Sequence, residues 1–209
     1  MSTTIKALSL AIAAMLVLMT SPISLSQQGT SVYEGDWPSW AGSSNASRYS
    51  PLDQITAENV EDLEIAWRWS TQGFGPGTDF VNPSTPLEID GVLYANVGTT
   101  RNVVALDATS GQVLWMYRYD EGTRFDEAPR KGAGRGVSYY NNGEKSRIFD
   151  ISPGYQLVSL DPATGIPDPS FGEDGLVDLY VGVRNGDDPR FAYPDIGISA
   201  PPFIMNDVI

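Results

Sequence analysis

From residue 65 onward, apolar residues recur in short runs that are separated by turn residues. The runs are rich in Val, Leu, Ile and aromatic side chains, and pairs such as Asp90-Gly91 and Asn142-Gly143 lie between them. Short apolar runs bounded by such pairs are typical of β-strands joined by hairpins. The pattern therefore predicts an all-β fold with strands at 66–70, 86–89, 92–97, 103–107, 113–119, 136–140, 147–152, 157–161 and 203–209.

The segment before the first strand has a different pattern. Gly, Ser, Asn and Pro dominate it, and Thr56 is a candidate N-cap that is followed by the acidic residues Glu58 and Glu61. Acidic side chains are favourable in the first turn of a helix because the helix dipole is positive there. We expect a short N-terminal helix at about 57–63, within a loop region that spans 27–64.

The first 26 residues resemble a secretory signal peptide. Lys6 provides positive charge near the start, and the run 7–19 is almost entirely apolar. This run is shorter than the roughly 20 residues that a membrane-spanning helix needs. Small residues at Ser24 and Ser26 have the spacing of a cleavage site. We expect residues 1–26 to be removed, and the mature chain to be periplasmic or secreted without a transmembrane span.

An internal repeat favours one all-β architecture over another. Residues 103–111 (VVALDATSG) recur as residues 157–165 (LVSLDPATG), an offset of 54, and a weaker echo pairs 86–93 with 202–209. Repeats of about 40–50 residues with four strands each are typical of β-propellers. We expect a propeller rather than a sandwich, with Trp115 lying between neighbouring blades.

Composition removes several classes of chemistry. The chain has no Cys and no His, which excludes His-based catalytic triads, iron–sulfur ligation and zinc fingers. Its formal net charge is −13, and such an excess of acidic groups argues against a nucleic-acid partner. The remaining options are carboxylates, Arg, Lys, Tyr or a bound cofactor.

Residues 105–115 (ALDATSGQVLW) resemble the tryptophan-docking motif A-x-D-x-x-T-G-x-x-x-W of dehydrogenases that use pyrroloquinoline quinone (PQQ), with Ser110 in the Thr position. Segments at 36–40 (DWPSW), 84–87 (STPL) and 135–137 (RGV) extend the resemblance in order and spacing. From about residue 35, the chain is similar to the start of the quinoprotein glucose/alcohol dehydrogenase family, and most similar to its glucose-dehydrogenase-like branch. The resemblance implies that residues 65–209 are the first blades of an eight-bladed propeller.

The resemblance also implies a cofactor site. Arg135 matches an arginine that lies beside the PQQ carboxylates, and Ser152 matches a Thr or Ser near the cofactor. The catalytic Asp and the ligands of a Ca²⁺ or Mg²⁺ ion have no counterpart in this sequence and are expected beyond residue 209, so we assign no catalytic or metal-binding residue. The implied partners are a small alcohol or sugar as substrate and a quinone or cytochrome as electron acceptor. We expect the 209-residue chain alone to be inactive.

Three positions depart from the family pattern. Alcohol-dehydrogenase branches have a cysteine pair shortly before the Arg-Gly element, where this chain has Gly132-Ala133-Gly134. Some relatives have a Glu where Pro83 stands, and the second repeat has Pro169 in place of the docking Trp. A vicinal disulfide over the quinone is therefore not expected here.

Two other functions remain open from the sequence. A non-enzymatic propeller scaffold of the cell envelope would share the repeat but bind protein partners. A secreted carbohydrate-binding β domain would use exposed aromatic rings as stacking platforms, for which the candidates are Tyr139, Tyr140, Tyr155 and Tyr193.

Overall fold

Two four-stranded antiparallel sheets follow one another along the chain in the computed structural model, which describes residues 35–43, 45–77, 79–183, 196–205 and 207–209. The order of the strands within each sheet is their order along the chain. The first sheet contains β1 (Leu87–Ile89), β2 (Val92–Val97), β3 (Asn102–Asp107) and β4 (Val113–Tyr117). The second contains β5 (Ser138–Asn141), β6 (Ser146–Ile151), β7 (Gln156–Leu160) and β8 (Leu176–Asp178).

The central strands of both sheets are apolar on both faces. In β3, Val103 and Ala105 belong to a core shared with the second sheet, whereas Val104 and Leu106 pack on the opposite face. This alternation follows from the two-residue period of a strand. In the second sheet, the side chains on the face away from the shared core also form a cluster, which contains Phe149, Ile151 and Leu157. A two-sheet sandwich buries one face of each sheet, so apolar packing on both faces agrees with blades that stack in series.

The repeated sequence forms the same hairpin in both sheets. One carboxylate oxygen of Asp107 accepts hydrogen bonds from the backbone N–H groups of Thr109 and Ser110 and from the Ser110 hydroxyl, at 3.1, 2.7 and 2.7 Å. Asp161 accepts the equivalent three bonds from Ala163 and Thr164, at 3.0, 2.9 and 2.9 Å. Each turn thereby has its backbone donors paired within the hairpin.

Trp115 joins the first sheet to the second. Its indole N–H donates to the carbonyl of Pro162 at 2.8 Å, and its ring lies over Gly165, where a Cβ atom would be 2.4 Å from the ring. Gly165 also has φ +69, a conformation that residues with a side chain rarely adopt. The prediction that Trp115 lies between neighbouring blades is confirmed.

Trp67 makes the equivalent contact one sheet earlier. Its indole N–H donates to the carbonyl of Ala108 at 3.0 Å, and its ring lies over Gly111, where a Cβ atom would be 2.6 Å away. The segment that carries Trp67 thus packs on the first sheet as β4 packs on the second. We did not predict this contact, because the docking motif was recognised from its first copy only.

Two predicted strands are wrong. Residues 66–70 belong to neither sheet, and the described residues of 203–209 form a single bridge, between Met205 and Val208. In both segments the apolar pattern is that of a strand, but the described residues provide no neighbouring strand for it. The structure adds a strand that we did not predict, β8, which follows a turn rich in Gly and acidic residues.

The helical content is small. The predicted helix at 57–63 is a single 3₁₀ turn at Val60–Asp62, and Val60 and Leu63 are exposed, so no apolar face holds a longer helix. A second short helix, α1 (Thr123–Asp126), lies between the two sheets in the chain. In the part of the chain that the structure describes, no helix is long and apolar enough to cross a membrane. The domain boundaries at 26 and 64 stay predictions.

Candidate functional site

The two sequence-predicted cofactor residues lie at the same end of the second sheet. Strands β5 and β6 are antiparallel, with Ser138 opposite Phe149. Arg135 comes three residues before Ser138, and Ser152 comes three residues after Phe149. In an antiparallel pair, the start of one strand lies beside the end of its neighbour. Arg135 and Ser152 therefore both lie just beyond the same end of the second sheet.

Arg135 has a fixed backbone and an exposed side chain. Its N–H donates to the carbonyl of Ser199 at 2.7 Å, and its carbonyl accepts from the N–H of Thr85 at 3.0 Å. Among the described residues, no hydrogen bond or ion pair involves its guanidinium group. The following Gly136 has φ +137, and a Cβ atom there would be 2.8 Å from the carbonyl oxygen of Thr85. The backbone at Gly136 therefore requires glycine, and the Arg135 side chain before it is exposed.

Ser152 is buried, and its hydroxyl is already hydrogen-bonded. It donates to the carboxylate of Glu121 at 2.5 Å and accepts from the N–H of Gln156 at 2.9 Å. The other Glu121 oxygen accepts from the N–H of Gly154 at 2.9 Å. A serine hydroxyl has one proton, so Ser152 can donate to a ligand only if it releases Glu121.

A buried polar cluster links the segments that carry these two residues. The side-chain amide of Asn96 donates to the carbonyl of Gly136 at 3.0 Å and to the carboxyl of Asp150 at 3.2 Å. The hydroxyl of Tyr119 donates to the other Asp150 oxygen at 3.3 Å. One amide group of the first sheet thus contacts the residue after Arg135 and the residue two before Ser152.

Burial dominates the electrostatics of this cluster. It raises the pKa of Asp150 to about 7, against the opposing effects of Arg101, Asn96, the Ile151 backbone and Tyr119. Burial also raises the pKa of Tyr119 well above its usual value. A carboxyl group removed from water loses the hydration that favours its charged form, and this loss exceeds the gain from its hydrogen bonds here.

Sequence reasoning missed Glu121, Asn96 and Asp150. A signal for two of them was present, because Asn96 interrupts the apolar strand β2 and Asp150 interrupts the apolar run 148–151 of β6, and a polar group in such a place needs a partner. Glu121 gave no comparable signal, since it lies in an irregular segment with several other acidic residues.

The tyrosines considered as sugar-stacking platforms are packed against other groups. Tyr139 contacts the shared core. Tyr155 contacts Tyr180 in a tilted arrangement with ring centroids 5.3 Å apart, and the Tyr140 hydroxyl donates to Asp207 at 2.8 Å. The fourth candidate, Tyr193, lies outside the described residues. The three described rings therefore form no common exposed surface.

Comparison with known proteins decides the family. Residues 37–209 match the PQQ family model for the Glucose/ethanol/alcohol dehydrogenase, beta-propeller domain. The chain belongs to this PQQ-dependent dehydrogenase family. Membership confirms the propeller interpretation of the two sheets.

The similar proteins are named as glycerol, alcohol and glucose dehydrogenases. The glycerol dehydrogenase large subunit of Gluconobacter oxydans (strain 621H) is 26% identical over 193 residues, which cover 88% of this chain and 25% of that protein. The dehydrogenase subunit of alcohol dehydrogenase (quinone) from the same organism is 36% identical over 134 residues, covering 64% and 16%. The quinoprotein glucose dehydrogenase of Escherichia coli (strain K12) is 36% identical over 113 residues, covering 52% and 14%.

Solved structures of PQQ-dependent dehydrogenases also match. The quinohemoprotein alcohol dehydrogenase from Comamonas testosteroni aligns with a TM-score of 0.55 and 28% identity, over 73% of this chain and 20% of that chain. A europium-containing methanol dehydrogenase aligns with a TM-score of 0.52 and 27% identity, over 63% and 22%. The chain thus spans a quarter or less of the length of the relatives named here.

The family implies PQQ and a metal ion. The Arg135 guanidinium fits the cofactor, because it is exposed, its backbone is fixed, and its planar donors match carboxylates. Ser152 fits less well, because its proton is already donated to Glu121. For the metal, no three acidic, His or Cys side chains are grouped as ligands in the described ranges.

Proposed function

We propose that this chain provides cofactor contacts and blades to an enzyme that oxidises an alcohol or a sugar with PQQ. The observation that carries the proposal is the exposed guanidinium of Arg135, which has no partner among the described residues and lies at the same end of the sheet as Ser152. The names of the relatives, which are glycerol, alcohol and glucose dehydrogenases, support the substrate class. In the complete protein, a quinone or a cytochrome would receive the electrons.

Arg135 would bind and orient the cofactor. Its two parallel N–H groups would pair with one PQQ carboxylate, as guanidinium groups do with planar anions. Bound PQQ, with Ca²⁺ or Mg²⁺, supplies the two-electron oxidation that no side chain of this sequence could perform. The Ser152 hydroxyl would join only after Glu121 releases it, so we assign orientation of PQQ primarily to Arg135.

The cofactor role of Arg135 is tested by titrating PQQ into the complete gene product in the presence of CaCl₂ and following tryptophan fluorescence. Arg135→Met should raise the Kd for PQQ about 10- to 100-fold, the range expected for losing a charge-assisted bidentate contact. Arg68→Met is the matched control, because Arg68 is also exposed but lies beside Trp67, outside both sheets. Equal affinity of Arg135→Met and the wild type would disprove this role.

The 209-residue chain alone should not catalyse dye reduction. We propose this because the family's base and metal ligands have no counterpart in the sequence. The measurement is reduction of an artificial electron acceptor by purified chain with PQQ, CaCl₂ and a panel of alcohols and sugars. Steady turnover above the rate of PQQ without protein would contradict the proposal.

We also place the mature protein in the periplasm or outside the cell. The support is the arrangement of residues 1–26, with Lys6 before an apolar run and small residues after it. Expression in a bacterial host, followed by N-terminal sequencing of the exported protein, should show a start near Gln27. Retention of residues 1–26 on a cytoplasmic product would contradict this location.

A further inference from the structure

Arg101 is a buried arginine whose donors bind only backbone carbonyls. It lies between β2 and β3, is 2% exposed, and has φ +54. Among the described residues it forms no salt bridge. Its guanidinium donates four hydrogen bonds, to the carbonyls of Gly132 at 3.2 Å, Ile151 at 2.9 Å, Ile198 at 2.7 Å and Arg130 at 3.1 Å.

These carbonyls lie in the three segments that form the candidate cofactor site. Ile151 immediately precedes Ser152. Ile198 immediately precedes Ser199, whose carbonyl accepts the hydrogen bond from the N–H of Arg135. Gly132 lies three residues before Arg135 in the same segment. A single side chain therefore connects the segment of Arg135, the segment of Ser152 and the segment of Ser199, which holds the Arg135 backbone.

The chemistry of these contacts requires an arginine. Burying a cation is unfavourable unless its donors are paired, and four carbonyl oxygens provide that pairing here. The guanidinium is planar and rigid, so it also fixes the relative positions of the oxygens it binds. A lysine ammonium would keep the charge, but it has three donors on a flexible stem and cannot reproduce the same four bonds.

The neighbouring glycine supports this requirement independently. A Cβ atom on Gly134 would be 2.6 Å from the side-chain nitrogen of Asn96 and 3.2 Å from the Arg101 side chain. Gly134 belongs to the Gly-Ala-Gly run that directly precedes Arg135. A larger residue there would displace Arg101 or Asn96, so this run makes the space in which Arg101 reaches the three segments.

We infer that Arg101 is a positioning residue, which holds the segments of Arg135 and Ser152 in the geometry that binds PQQ. It touches neither the cofactor nor the substrate in this role. The link to PQQ rests on the proposed function, whereas the ordering of the three segments is a property of the protein without cofactor. The two parts can therefore be measured separately.

The test compares wild type, Arg101→Lys, Arg101→Met and the control Arg68→Met in the complete gene product. Hydrogen exchange without cofactor, followed by mass spectrometry, should show faster exchange in peptides covering 130–137, 151–156 and 196–199 for both Arg101 variants. Strands β3 and β7 should exchange as in the wild type. Titration with PQQ should then show an affinity loss of about tenfold or more for both variants and none for the control.

Several outcomes would overturn the inference. They are unchanged exchange in the three segments, an even increase across the whole protein, or wild-type PQQ affinity in Arg101→Lys. Failure of the wild type to bind PQQ would instead overturn the proposed function, and with it the link to the cofactor. If the Arg101 variants do not fold, Gly134→Ala keeps the arginine but crowds it, and it should give the same local exchange pattern in a milder form.

Discussion

Asp150 shows how one side chain links stability to pH. The carboxyl group lies in β6 between the two sheets and is bonded to Asn96 and Tyr119. Its pKa is about 7 in the folded protein, whereas an exposed Asp in an unfolded chain has a pKa of about 3.9. Between these two values the folded protein keeps a proton that the unfolded chain has lost.

Asp150 should therefore make the protein less stable as pH rises from about 4 to about 7. Because the pKa of the group is higher in the folded protein, its contribution to the free energy of unfolding is complete below the pKa of the unfolded chain. This contribution is lost as pH rises to the pKa of the folded protein, with a slope of at most about 1.4 kcal/mol per pH unit for one proton. Asp150→Asn keeps the shape and should remove this slope. Urea unfolding at pH 5, 6, 7 and 8 measures it, and parallel curves for the two proteins would contradict the assignment.

The glycine beneath Trp115 gives a second prediction with a matched control. Gly165→Ala adds a Cβ atom 2.4 Å from the indole ring, in a residue with φ +69. Gly143→Ala has a similar φ of +88, but nothing lies within 4 Å of its added Cβ atom. The backbone cost of about 1 kcal/mol should be common to both, and Gly165→Ala should lose about 1–3 kcal/mol more from overpacking. Equal unfolding free energies for the two variants would show that the ring contact does not limit this position.

At the scale of the strands, prediction from sequence succeeded where the signal was local. The interval 92–97 was predicted with the observed bounds of β2, because Asp90-Gly91 marks its start and its apolar residues continue to Gly98. The segments at 66–70 and 203–209 have equally good strand patterns, yet a strand exists only where a neighbour pairs with it. Pairing is a property of distant residues, so a local pattern does not determine it.

For the site, the resemblance implied Arg135 and Ser152, whose cofactor role stays a prediction, and it did not indicate the groups around them. Arg101 binds backbone carbonyls, which any residue provides, and Glu121 binds a backbone N–H besides the Ser152 hydroxyl. Such contacts depend on the path of the chain in three dimensions, which periodicity and motifs do not describe.

The two tryptophans that join sheets should contribute independently to stability. Trp115→Phe and Trp67→Phe keep an aromatic ring but remove the N–H that donates to Pro162 or Ala108. Trp67→Phe should lower the unfolding free energy by about 1 kcal/mol or somewhat more, because the Ala108 carbonyl loses its indole donor. Trp115→Phe should cost less, because the Pro162 carbonyl still accepts a hydrogen bond from the Tyr94 hydroxyl at 3.2 Å. The sites share no partner, so the double variant should show the sum of the two losses. A clear departure from additivity in denaturant unfolding would mean that the two contacts are coupled.

For the whole molecule, charge repulsion should outweigh charge attraction. The formal net charge is −13, while the described residues contain two salt bridges, Arg124–Asp178 and Arg147–Asp168. Salt weakens both repulsion and attraction, and the larger effect decides the sign. Raising NaCl from about 20 to about 200 mM at pH 7.5 should therefore raise the Tm, as measured by differential scanning fluorimetry. Near the sequence pI of about 4.2 the rise should disappear, and a fall in Tm at pH 7.5 would contradict the prediction.

The contact between an indole ring and a glycine also has a geometric consequence. The Trp115 ring lies over Gly165 while its N–H bonds the Pro162 carbonyl, so the thickness of the ring contributes to the spacing between the first sheet and the second. Trp67 spaces its own segment from the first sheet in the same way. In a propeller, a small deviation in that spacing would recur at every blade, and the ring of blades would not close. An indole ring of the same thickness at each junction would give each blade the same displacement from its neighbour, through local contacts alone.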